Sequence, residues 1–253
     1  RRAQPRWAEP SWVVGDTNSP SRGLAALRLA FPWSRDLTAT SIRDNAAMRR
    51  ATSILAFLLA ACAPLLDPHD PPVNVHAPEV FRARFVTSQG DFVVEVHRSW
   101  APIGADRFYN LVANRFFDGQ RFFRVRQGVF AQFGIPGNPR IAQAWRSATI
   151  PDDPPQHSNL RGTIAYAFTT TNTRATQIFI NLAGNRQFDS QDFAPFGVIT
   201  TGVDVTDRIY SGYGETAGGG MRAGHQDALF AGGNAYLKRK FPKLDYIRTA
   251  RLE

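Results

Sequence analysis

Few side chains in this sequence are equipped for covalent or metal chemistry. Its 253 residues include one cysteine, Cys62, and five histidines. A single thiol can form neither an internal disulfide nor a cysteine-based zinc site. There is no Gly-x-Ser-x-Gly, no His-Glu-x-x-His and no paired-His spacing, so hydrolase and metalloenzyme chemistry lack support and neither metal nor cofactor is expected. His97 falls on the more polar face of an alternating run and reads as solvated. Arg124 lies in the strand-like run Arg121-Phe122-Phe123-Arg124-Val125. Arginine is always charged and presents a rigid fork of donors. A lone arginine in a strand ordinarily faces solvent, and the residues by themselves leave that reading in place.

The elements that would position such residues are mostly short strands. Val80 to Thr87 is rich in β-branched and aromatic residues. Ser88-Gln89-Gly90-Asp91 has turn chemistry, with Gly90 able to take a positive φ. Phe92, Val94 and Val96 then alternate with polar neighbours, which predicts a hairpin with one buried face. Residues 101–116 have helical spacing through Ile103, Phe108, Leu111, Val112 and Phe116. Strand-like runs follow at 121–125 and 127–134, then a long loop with Pro136, Pro151, Pro154 and Pro155. Further strands are predicted over 162–168, 177–182, 196–200 and 246–252. Helices are predicted over 203–210 and 234–241, the latter ended by Pro242. Residues 212–233 read as Gly-rich and irregular. Many short strands with few helices favour a closed all-β architecture. Nineteen phenylalanines and 43% hydrophobic residues make its core aromatic and global disorder unlikely on composition.

Ahead of this region the sequence changes character. Residues 1–47 lack sustained periodicity and precede the first methionine, Met48; they are expected to be a non-native or disordered extension. Met48-Arg49-Arg50 and the apolar run Ile54 to Ala61 have the form of a signal peptide over 48–61. The run is far shorter than the roughly 20 residues of a permanent span. It ends Leu59-Ala60-Ala61-Cys62, which resembles the bacterial lipobox: small side chains admit a signal peptidase and the thiol carries a diacylglycerol. The expectation is a lipidated Cys62, a membrane anchor and a place in the cell envelope facing the periplasm or the extracytoplasmic surface. Residues 62–77, dense in proline, read as a linker holding a domain of residues 78–253 off the membrane.

The formal charge of +9 is unevenly distributed. Residues 1–61 carry nine arginines and four acidic residues, whereas the remainder carries 21 basic and 17 acidic residues. The domain is therefore only weakly basic. It shows no basic stripe interleaved with aromatics, so no nucleic-acid partner is expected.

Several blocks in order carry a family resemblance. Thr87-Ser88-Gln89-Gly90-Asp91 is followed by Ala101-Pro102, Phe108, Asn110-Leu111-Val112, Phe117-Asp118-Gly119 and Phe122-Phe123-Arg124-Val125. Then come Gly128-Val129-Phe130-Ala131-Gln132, Gly162-Thr163-Ile164-Ala165-Tyr166-Ala167, Gln177-Ile178-Phe179-Ile180 and the run Phe188 to Gly197. Over residues 80 to about 211, and in the last strand, the sequence resembles the cyclophilins. The resemblance implies a closed eight-stranded antiparallel β-barrel, all-β with minor α, capped by two helices. It implies peptidyl-prolyl cis–trans isomerisation of proline-containing polypeptides; together with the signal-like segment, the expectation is a monomer that assists exported proteins to fold. Arg124 matches the catalytic arginine. Phe130, Phe179 and Phe188 match the proline-pocket walls. Gln132, Ala167, Phe168 and Gln177 match groove positions, and Phe193 lies near a position where the family often has histidine. Departures are Phe123 for a common histidine, Val129 for a pocket-wall phenylalanine, Phe133 within a Gln-Gly-Gly run, Phe168 for a groove asparagine and Gln187 for the tryptophan of cyclosporin-sensitive members. Val129 and Phe168 favour an alternative, a module that holds proline segments with little turnover. Arg124, Phe130 and Phe179 favour the enzyme. The Gly-rich insertion 212–244 has no assigned role.

Overall fold

The computed structural model describes residues 65–219 and 225–253. Cys62 and the lipobox-like run before it lie outside the described residues. The predicted hairpin is present as β1 (Val80–Thr87) and β2 (Asp91–His97), and Gly90 takes φ +126°, a conformation natural only to glycine. Along β1, Phe81, Ala83, Phe85 and Thr87 are buried between more exposed neighbours. His97 stacks on Trp100 with ring centroids 4.6 Å apart and lies 3.2 Å from the Glu95 carboxylate.

Helix α1 (Pro102–Ala113) begins with proline, whose missing N–H costs nothing at a first turn. Two of its orphan amides, Ile103 and Gly104, donate to the buried Asp153 carboxylate at 3.0 and 2.8 Å. Strands β3 (Arg124–Arg126), β4 (Phe130–Phe133), β5 (Thr163–Tyr166), β6 (Ile178–Asn181), β7 (Pro195–Thr201) and β8 (Ile247–Leu252) complete one antiparallel sheet in the order β3-β4-β6-β5-β7-β2-β1-β8. Its inner face buries Phe85, Phe92, Phe108, Phe117, Phe122, Phe133 and Phe196 in edge and offset contacts.

The ladder does not close into the expected barrel. β3 and β8 end the order without pairing along their lengths, and the sheet is an open half-barrel. What meets across the gap is the segment ahead of β3: a single bridge joins Arg121 to Tyr246, and Phe122 N donates to Asp245 O. This also explains why the strand expected from residue 121 begins only at Arg124. Phe122 and Phe123 are both buried, Phe122 in the main core and Phe123 in a second cluster.

Four α-helices are present among the described residues, not the two caps expected. α2 (Pro139–Arg146) lies inside the expected long loop, with Asn138 capping the Arg140 amide at 3.0 Å and Pro139 in the first turn. α3 (Val203–Asp207) is the predicted short helix. α4 (Asp227–Lys240) starts seven residues earlier than predicted and bends at Gly233. Asp227 at its start and Lys238-Arg239-Lys240 at its end both suit the helix dipole. α2 and α4 share the second cluster, in which Phe123, Ile135, Ala142, Ala217, Leu229, Phe230 and Leu237 are buried.

The proline-rich residues 65–77 do not stand away from the domain. Val73 and Ala77 are buried in the main core, Asn110 Nδ2 donates to Val75 O at 2.7 Å, and Trp145 Nε1 donates to Leu65 O at 2.8 Å.

Candidate active site

Strand register sets the site. Val125 points into the core, so Arg124 faces outward; Ala131 and Phe133 point in, so Phe130 and Gln132 face outward. On β6 the inward residues are Ile178 and Ile180, which leaves Phe179 outward. The pairings Arg124 to Gln132, Gln132 to Phe179 and Phe179 to Ala165 then place a cation, an amide, an aromatic ring and a small residue in one row across four strands.

The row has an aromatic end and a polar end. At the aromatic end Phe130 and Phe179 lie 6.1 Å apart between centroids, and Phe188 and Phe193 close on Phe179 at 5.7 and 5.4 Å. Val129, Ala165 and Ala167 join this cluster, and Phe168 lies tilted against Phe193 with centroids 4.6 Å apart. Phe188 sits in the short 3-10 turn Arg186–Gln191 and Phe193 just beyond it. Asp189 pins that wall by accepting from the Asn159 amide at 2.7 Å and from Asn159 Nδ2 at 2.9 Å. Burial alone would raise the Asp189 carboxyl; hydrogen bonds from Ser158 and Asn159 outweigh it and hold the group below the usual carboxylate range.

At the polar end Arg124 donates from one terminal nitrogen to Gln132 Oε1 at 2.9 Å, and its guanidinium lies 4.8 Å over the Phe130 ring. Gln132 Nε2 donates to Gln177 Oε1 at 2.8 Å. Arg124, Phe130, Gln132, Ala167, Phe168, Gln177, Phe179, Phe188 and Phe193 are thus brought to one outer face.

Comparison with known proteins agrees with this geometry. Residues 82–223, more than half the chain, match the family described as cyclophilin type peptidyl-prolyl cis-trans isomerase/CLD. The chain belongs to the cyclophilin-type isomerases. A peptidyl-prolyl cis-trans isomerase of Acinetobacter baylyi is 31% identical over 143 residues, which span 54% of this chain and 76% of that protein. Peptidyl-prolyl cis-trans isomerase A of Dickeya dadantii is 33% identical over 128 residues, spanning 49% and 67%. The crystal structure of a Cryptosporidium parvum cyclophilin type isomerase superposes with a TM-score of 0.50 at 16% identity, over 69% of this chain and 98% of that one. At that identity the likeness establishes the fold alone.

At this candidate site of a cyclophilin-type chain, two side chains escaped the sequence reading. The second terminal nitrogen of Arg124 donates to the Glu215 carboxylate, and the pair is largely shielded, with side chains 16% and 17% exposed. Gln226, buried just before α4, pairs reciprocally with Gln177: Gln177 Nε2 donates at 2.9 Å and Gln226 Nε2 donates back at 3.1 Å. Both belong to the Gly-rich insertion, where no spacing rule points at a site. The departure Phe123 has a physical account in the same segment. It is packed with Ala217, Leu229 and Phe230, so an apolar ring there is what seats the insertion.

Proposed function

We propose that this isomerase turns X-Pro bonds in extended polypeptides by seating the proline ring on the Phe130–Phe179–Phe188–Phe193 cluster and presenting Arg124 to the prolyl nitrogen. Rotation about an amide breaks its resonance, against a barrier of roughly 18–20 kcal/mol. In the twisted state the nitrogen is pyramidal and regains a lone pair. A fixed cation that donates to that lone pair binds the twisted state more strongly than the planar one, which is the condition for catalysis. No nucleophile, metal or cofactor enters the step. The observation that carries this reading is the Arg124 guanidinium, 4.8 Å over the Phe130 ring and held by Gln132 in a row with Phe179.

The test is cis–trans exchange of an Ala-Pro peptide followed by NMR. One preorganised donor to developing charge is worth about 2.7–4 kcal/mol, so Arg124→Ala should lose about a hundred- to a thousandfold in turnover while peptide affinity falls much less. Arg124→Lys should recover little, because a flexible ammonium does not reproduce the fork. Retention of more than about a third of wild-type turnover by Arg124→Ala would remove the assigned role.

The same reading takes Cys62 as a lipidated anchor and exported polypeptides as the substrates whose folding is assisted. Only Ala63 and Pro64 separate Cys62 in sequence from Leu65, whose carbonyl is bonded to Trp145. An anchored domain would therefore sit close against the bilayer. The mass of protein expressed in a bacterium from Met48 tests this: processing ahead of Cys62 and an acylated cysteine are expected, and an unmodified Cys62 behind retained residues 48–61 would overturn it. The Arg121–Tyr246 bridge is taken as the seam along which the half-barrel closes.

A further inference from the structure

Three of the contacts that hold Arg124 fall on its guanidinium, and two of these come from the strands. Gln132 takes one terminal nitrogen and the Phe130 ring lies under the guanidinium, both from β4. The third hold, on the other terminal nitrogen, is the Glu215 carboxylate. Glu215 does not hang from a loose loop. One residue before it, Gly214 O accepts from the amide of Val125, the β3 neighbour of Arg124, at 2.9 Å. Three residues after it, Gly218 lies flat against the same strand. A Cβ there would meet Phe123 Cδ2 at 2.9 Å and Arg124 Cβ at 3.0 Å, so only glycine lets the turn approach. Between them Ala217 is buried with Phe123, Leu229 and Phe230. The turn that carries the carboxylate is therefore seated on the strand that carries the arginine.

We propose that Glu215 is a positioning residue for the isomerisation, fixing the Arg124 fork in register with the aromatic cluster. The proposal rests on the reading of Arg124 as the cation that meets the prolyl nitrogen. An arginine side chain has several rotatable bonds, and a donor contributes fully to catalysis only when it needs no reorganisation at the moment of reaction. A carboxylate on one terminal nitrogen and an amide oxygen on the other orient the planar fork from both sides, while the stem is confined by Gly218. Glu215 itself does not touch the peptide. Its loss should therefore lower the rate of the bound complex more than it lowers affinity.

The experiment uses the full chain as wild type, Glu215→Ala, Glu215→Gln, Arg124→Ala and the Glu215→Ala/Arg124→Ala pair. Exchange of a saturating Ala-Pro peptide gives the turnover rate, and titration gives its Kd. Misplacement of a reacting group by about 1 Å can cost on the order of a hundredfold, so Glu215→Ala should slow turnover by about ten- to a hundredfold with Kd changed less than about twofold. Glu215→Gln keeps an acceptor in the same place without the charge and should fall between. In the Arg124→Ala background, removal of Glu215 should have no further effect, since residues that act as one unit are non-additive. If Glu215→Ala does not fold, the isosteric Glu215→Gln carries the test, with a loss of at least about threefold in turnover at unchanged Kd expected. Wild-type turnover in the Glu215 variants overturns the proposal. So does faster turnover, which would make the contact a brake, and so does an equal slowing in the Arg124→Ala background. Wild-type turnover in Arg124→Ala alone has a different meaning: it overturns the reading on which the proposal rests.

Discussion

The two ends of the outer-face row are built differently. The aromatic end is made within residues 129–193, from alternate positions of β4 and β6 and from the turn that Asp189 pins. The polar end starts on β3 and β4 with Arg124 and Gln132 but is completed by Glu215 and Gln226, from a segment that crosses back over the sheet. A pocket made by strand alternation is as rigid as the sheet. A polar clamp that takes two of its members from an insertion is only as rigid as the docking of that insertion. Here the docking is a hydrophobic cluster separate from the main core, into which Phe123, just ahead of β3, is packed. Stability and catalysis should therefore respond to different phenylalanines.

The sharpest way to break this comparison is to truncate one ring in each cluster. Phe133 is buried in the main core against Phe85, Phe117 and Phe122. Phe133→Ala should cost about 3–5 kcal/mol of global stability, read from chemical denaturation. Phe123 is as deeply buried, yet most residues of its cluster sit on an appended segment, which is expected to open locally before the sheet unfolds. Phe123→Ala should lower the global transition less, raise amide exchange over 213–219 and 227–237, and slow turnover through the polar clamp. Equal global losses with unchanged exchange in the insertion would show that the two clusters are one cooperative unit.

A smaller effect separates the two ends by kinetics. On the proposed reading, Phe179→Ala removes a ring that would touch the proline in both the planar and the twisted state. It should raise the peptide Kd by about ten- to a hundredfold and slow turnover of the bound complex much less, opposite to the pattern for Arg124→Ala. A variant with unchanged Kd would place the proline elsewhere than on this cluster.

Much of this was legible beforehand, for physical reasons that also show where legibility stops. Hairpin β1–β2, helix α1 and the outward row of Arg124, Phe130, Gln132 and Phe179 follow from alternation, turn residues and family blocks that lie close in sequence. Helix α2 had its signals in Asn138-Pro139, a cap followed by a favoured first-turn residue, but its short run in a proline-marked stretch read as loop. Glu215 and Gln226 left no local trace. Their pairing with Arg124 and Gln177 is fixed by packing between segments tens of residues apart, and glycines such as Gly218, which permit the approach, look in sequence like simple irregularity. The docking of residues 65–77 was hidden similarly: proline density speaks for stiffness, while Val73 and Ala77 are held by a surface that only the fold creates.

That N-terminal segment gives the smallest and most local test, since it is a second appendage fastened by few polar contacts. Asp106 on α1 accepts from the Ala77 amide at 2.9 Å and from Arg98 Nε at 2.7 Å, and it lies 2.7 Å from the His76 ring nitrogen. Burial alone would raise its carboxyl, but the Arg98 guanidinium, the Ala77 amide and His76 outweigh burial and hold it below the usual range. A carboxyl depressed in the folded state contributes stability that is complete above its unfolded value, near about 4, and is lost as pH falls through the folded value. Stability should therefore be level in this respect from pH 7 to about 5 and decline below about 4. Asp189 has a depressed carboxyl too and adds a slope of the same sign, so the informative quantity is the difference between wild type and Asp106→Asn. That difference should be largest at neutral pH and shrink in acid. Amide exchange in Asp106→Asn should rise at Val75 and Ala77 and stay unchanged at Phe130 and Phe179. A pH-independent difference would mean that Asp106 holds the segment by shape alone, and faster exchange at Phe179 would mean that the aromatic end depends on this appendage as the polar end depends on the insertion.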